Sequence, residues 1–142
     1  MKIVFLGTTG VQHALIAAHI YLGQLGVEDF RDLEYYCDLS QESSGFPIFI
    51  GDDARGNQIY SLGVGKDLQM GQKTIENLLT ILGFSYQDLT LRPVSIKAER
   101  FLACLGKIPC YLGGTKINLF FSNIILRQEL AAIKENVEQF CN

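Results

Sequence analysis

Proline is scarce in this chain, three in 142 residues, and no tract is dominated by one residue type, so disorder and a collagen-like helix are excluded, as is a coiled coil. There is no excess of positive charge. Twelve Lys and Arg stand against fifteen Asp and Glu, a net charge of -3, which excludes a sequence-independent affinity for nucleic acid or anionic lipid. Long apolar runs are missing too: none reaches the ~18 residues of a membrane span, and the nearest is broken by Gln12, His13 and His19. The apolar start, Met1 to Gly7, is interrupted by Thr8, Thr9 and Gly10 too early for a signal peptide. Cys37, Cys104, Cys110 and Cys141 lack the spacing of a zinc knuckle or a C-x-x-C redox pair, so they read as free, mostly buried thiols and no metal site is expected. What is present, 48% apolar residues and 14 glycines, fits one cytoplasmic α/β domain over residues 1–142.

Lys2 to Leu6 is a β-branched and aromatic run closed by Gly7, and Val11 to Gly23 follows with helical character, a strand, turn and helix that open an α/β unit. That helix is apolar on nearly every side, so it needs a sheet beneath it and a further cover. Gly23 and Gly26 end it. Residues 27–45 are acidic and Ser-rich, a surface segment with one short helix. Phe46 to Gly51 and Gln58 to Leu62 then read as a β-hairpin around the turn-forming stretch Asp52 to Asn57. A helix is expected from about Gly71 to Leu82, stopped by Gly83, then a strand over Leu89 to Ile96 that Pro93 confines to an edge or bulge. A short helix over Ala98 to Leu105, a loop at Gly113 and Gly114, and a last strand over Ile117 to Phe121 come next. The closing helix, with Asn123 as N-cap, carries Leu126, Leu130, Ile133, Val137 and Phe140 as a narrow apolar seam. The alternation predicts a three-layer αβα sandwich, a mainly parallel sheet with one antiparallel β-hairpin.

The hairpin stretch from Phe49 to Gly65, FIGDDARGNQIYSLGVG, resembles a bacterial family, domain-of-unknown-function family 3189, whose pattern is close to F-I-G-x-D-x-x-G-N-x-V-Y-x-L-G-x-G. Its members also carry a G-T-H-S-S turn before an Ala-rich helix ending in Leu-Gly. Here Val11, Gln12, His13, Ala14 and Leu15 match that turn, followed by Ala17, Ala18, Leu22 and Gly23. His13 is kept, and Ala14 and Leu15 replace the two serines, which removes hydroxyl chemistry there. The resemblance implies a similar architecture and carries no activity with it.

Two turns stand out chemically. Thr8, Thr9 and Gly10, with His13, lie between the first strand and first helix, where unpaired amides and a partial positive charge favour a phosphate or carboxylate. The turn matches neither G-x-x-x-x-G-K-[ST] nor G-x-G-x-x-G, so it supports no nucleotide assignment, and a tight connection with a capping Thr explains it equally. His13, near the helix start, is expected to be neutral through the helix dipole and suited to acid/base work, or else bonded to a neighbouring loop. Gly63, Gly65 and Lys66 form the second turn, with glycine amides that can approach a ligand and a lysine charge, or simply a flexible exit with a solvated Lys. Asp52 and Asp53 could ligate a cation, but their place in a D-x-x-G-N turn accounts for them.

Should the two strands be neighbours, both turns face one crevice. The reading is then a small anionic ligand at the carboxyl ends of the strands, held by Thr8, Thr9, Gly10, His13, Gly63, Gly65 and Lys66, with His13 the acid/base if there is catalysis. No cofactor is indicated. The alternative is a non-catalytic regulatory or assembly protein, in which the first helix and the seam of the last form a homodimer contact.

Overall fold

The computed structural model describes residues 1–25, 30–85, 88–105 and 114–141. Gly26, residues 27–29 of the acidic segment, Cys110 and Gly113 lie outside them. Lys2–Gly7 (β1) pairs in parallel with Gln58–Gly63 (β3) on one side and Leu89–Pro93 (β4) on the other, and Ile48–Asp52 (β2) pairs antiparallel with β3. The strand order is β2-β3-β1-β4, an α/β sheet that is mostly parallel with one antiparallel hairpin, as expected. β1 is flanked by strands on both edges, which is why Ile3 to Leu6 are all buried and read as an uninterrupted apolar run. Pro93 ends β4, an edge strand, where a missing amide costs nothing.

His13–Tyr21 (α1) lies on the face of the sheet carrying Ile3, Phe5 and Ile59, and its residues His13 to Ala18 are buried. Its cover is Gly114–Cys141 (α5), whose Leu126, Ile133 and Val137 are buried in the same core while Leu130 and Phe140 are partly so. The apolar sides of α1 and the α5 seam are therefore satisfied within one chain. Leu39–Ser44 (α2) is the short helix of the acidic segment. Leu68–Ile81 (α3) begins three residues earlier than expected because Asp67 caps it, accepting from the Met70 amide at 2.9 Å. Glu99–Leu105 (α4) packs on α5.

One element differs in type. The expected strand Ile117 to Phe121 is the first part of α5, which starts at Gly114 and runs through Asn123 without a break. Asn123 caps nothing and instead accepts a hydrogen bond from the Tyr36 hydroxyl at 2.9 Å. The physical reason is the buried stripe itself: Asn118, Ser122 and Leu126 recur at helical spacing and are all buried, whereas Phe120 and Phe121 are exposed. Polar residues occupy the start of that stripe, so an apolar pattern does not find it.

Candidate functional site

The parallel register sets Gly7 beside Gly63, and the Val64 amide donates to the Gly7 carbonyl at 2.9 Å, so the turns leaving β1 and β3 emerge side by side. They touch. A Cβ on Gly10 would stand 2.5 Å from the Gly63 nitrogen, and the buried Ser61 hydroxyl donates to the Gly10 carbonyl. Between these turns and α2 lies a cleft of about 260 Å³ lined by Thr8, Thr9, Val11, Gln12, Leu39, Glu42, Ser43, Gly65, Lys66 and Leu102. Thr8, Thr9, Gly65 and Lys66 thus share one wall system. Gly10, His13 and Gly63 do not line it.

The amides of the first turn already hold an anion. Glu42 of α2 places Oε2 2.8 Å from the Gly10 nitrogen and 3.1 Å from the Val11 nitrogen, accepting both N–H groups. Its other oxygen packs on Gly63, where a Cβ would collide with Oε1. Desolvation pushes the Glu42 carboxyl above its ordinary range, and the two amide bonds oppose that rise without cancelling it. In the sequence Glu42 is one acid among several in a Ser-rich surface segment. Nothing local distinguishes it, because its partners are more than thirty residues away.

His13 is at the start of α1, as expected, yet its ring is wholly buried. Burial lowers its pKa to about 4, so it is neutral at pH 7. Desolvation rather than the helix dipole is the dominant cause. Nδ1 lies 3.4 Å from the Thr9 hydroxyl, and the edge bearing Nε2 packs on Gly7, which has no room for a Cβ against it.

Beneath the cleft wall runs a buried polar network. Gln12 Nε2 donates to Ser122 Oγ at 2.9 Å and to Asn118 Oδ1 at 3.3 Å, Ser122 donates to Asn118 at 3.0 Å, and the Thr9 hydroxyl donates to Gln12 Oε1 at 3.1 Å. Cys37, buried with a free thiol, accepts from Gln12 Nε2 at 3.7 Å. This network joins the start of α1 to α5 and fixes the first turn from behind. Gln12→Ala strands its partners and opens a void, and is expected to lower stability by about 2 kcal/mol in urea melts. Replacing Gln12, Asn118 and Ser122 together by Leu, Leu and Ala should recover part of that loss, because Asn118 and Ser122 are then no longer stranded and the Thr9 hydroxyl keeps only its long contact to His13 Nδ1.

Among the described residues, Thr8 Oγ1, His13 Nε2 and Asn118 Nδ2 are buried without a hydrogen-bond partner. Thr8 is the one of the three on the cleft wall. Asp53, considered above as a cation ligand, is committed to the hairpin turn, where its carboxylate accepts from the amides of Arg55 and Asn57, both at 2.8 Å. Cys104 is exposed with a free thiol. Among the described residues no helix is long and apolar enough to cross a membrane.

The family model described as "Protein of unknown function (DUF3189)" matches residues 2–141, and the chain belongs to that family. No curated protein and no solved structure matches it.

Proposed function

We propose that this member of the family binds a small anionic ligand in the cleft at the carboxyl ends of β1 and β3. The observation that carries the reading is the pair of Gly10 and Val11 amides already closed on a carboxylate, at 2.8 and 3.1 Å, beside a cleft that also holds Lys66. Lys66 supplies the charge, Gly65 an accessible backbone, and Thr8 an unpartnered hydroxyl. Val11, Leu39 and Leu102 add an apolar part to the wall. At about 260 Å³ the cleft is smaller than the roughly 300–1,000 Å³ of drug-sized sites, which favours a compact ligand bearing a phosphate or carboxylate over a nucleotide. His13 and Gly63 act here by positioning the turns.

Inorganic phosphate at constant ionic strength is expected to raise the melting temperature of the wild-type protein. Lys66→Ala and Thr8→Val should diminish that rise while leaving the unliganded melting temperature within a degree or two. An equal rise in all three proteins, or none in any, contradicts the proposal.

The alternative, an assembly protein, draws on a different surface. Phe101, Phe120 and Phe121 are each more than two-fifths exposed and form edge-on ring contacts across α4 and α5. A protein that is monomeric across the micromolar range in sedimentation would argue against self-association through this patch.

A further inference from the structure

We propose that Glu42 is a resident competitor for the anion site, and that a phosphate-class oxyanion enters by exchanging for its carboxylate. The inference rests on the anion-binding reading above and adds how that site is regulated.

The Gly10 and Val11 amides point at one place, and Glu42 Oε2 occupies it. A helix start filled by a side chain of the same protein is often just a distant cap. Three features here go further. Thr8, which lines the same cleft as Glu42, is 5% exposed and its hydroxyl has no partner. A carboxylate has two oxygens, one spent on the amides and the other pressed on Gly63, so it leaves Thr8 and Lys66 unserved. A phosphoryl group has a third oxygen and a second charge to offer them.

The third feature is the element that carries Glu42. α2 is six residues long, none of them buried, and is held at its start by Asp38, which accepts from the Ser40 and Gln41 amides. It ends at Gly45 with φ +70°. Lifting such a helix uncovers little apolar surface, and its hydrogen bonds to the first turn are those of the Glu42 carboxylate, with Cys37 just ahead of it anchored by its amide to the Val11 carbonyl as a pivot. Occupancy of the nest and the position of α2 are therefore coupled: with Glu42 in, α2 closes over the turns, and with an oxyanion in, α2 is released. The affinity observed for an external anion is then reduced by the fraction of molecules in which Glu42 holds the nest.

The test is phosphate binding by calorimetry in wild type, Glu42→Gln and Glu42→Ala, each checked for folding by circular dichroism, with chloride at matched ionic strength as control. Glu42→Gln removes the charge at constant shape and is expected to tighten phosphate binding at least tenfold, as is Glu42→Ala. Equal affinity in all three, or weaker binding in the variants, overturns the exchange while leaving the anion site standing. Absence of binding in all three overturns the anion-binding reading itself, and the exchange with it. Wild-type backbone spectra supply a readout independent of variant folding. Saturating phosphate should move the amides of Gly10, Val11 and residues 39–44 together, whereas movement confined to Gly65 and Lys66 means that phosphate sits beside an undisturbed Glu42 and the exchange is wrong.

Discussion

Gly10→Ala is expected to cost about 3 kcal/mol, read as a fall in the urea midpoint at unchanged slope. The added Cβ would lie 2.5 Å from the Gly63 nitrogen and 3.1 Å from the Leu62 carbonyl carbon, and these are backbone atoms of a central strand with nowhere to retreat. Moving them apart also breaks the Ser61 bond to the Gly10 carbonyl and pulls the turn amides off Glu42. Gly65→Ala is the control. Its φ of +81° makes an Ala strained by about 1–2 kcal/mol, but no atom stands within 4 Å of the new Cβ, so its effect should be the smaller. Equal losses at the two positions would mean that close approach of the turns is not what Gly10 provides.

The second large effect is an acid sensitivity set by His13. Its pKa is lowered to about 4 in the fold from 6.5 for an unperturbed imidazole, because the buried ring takes up charge at a desolvation cost. The unfolded chain therefore binds the proton more readily. Stability is whole above about pH 6.5, falls as the pH drops through that value, and levels off below about pH 4, a loss of about 3 kcal/mol. Glu42 has the opposite sign: its carboxyl is raised by burial, so its protonation favours the fold and offsets part of the loss. His13→Asn should flatten the stability profile between pH 4 and 6.5 whatever its cost at pH 7. A profile that keeps its slope in this variant assigns the acid sensitivity elsewhere.

Much of the sheet was legible from residue order alone. The hairpin announces itself through turn formers between two β-rich runs, β1 through an apolar run closed by glycine, and the crevice follows once β1 and β3 are neighbours in parallel register. The second half of α5 is legible because its seam is apolar. Its first half is not, since Asn118 and Ser122 hold the inward positions and Phe120 and Phe121 face outward, the reverse of what hydrophobic periodicity can detect. A polar pair at i and i+4 ahead of a helix was the available signal. The site divides in the same way. Thr8, Thr9, Gly65 and Lys66 are found from local turn chemistry, while Glu42 acts through Gly10 and Val11, 32 and 31 positions away, and Gln12 through Asn118 and Ser122, 106 and 110 positions away. Such pairings are tertiary facts. The position and neutrality of His13 are legible in the sequence, but its depth is not, because a helix start on a strand end gives no measure of how deep the ring will lie.

The turn after β1 closes its Gly10 and Val11 amides on the Glu42 carboxylate. The direct measurement is a pH titration of the Gly10 and Val11 amide proton shifts in the wild-type protein and in Glu42→Gln. The two amides should titrate together with one midpoint above the ordinary glutamate range, and the transition should vanish in the variant. Amide shifts that stay flat in the wild type, or that titrate unchanged once Glu42 is replaced, would contradict the account.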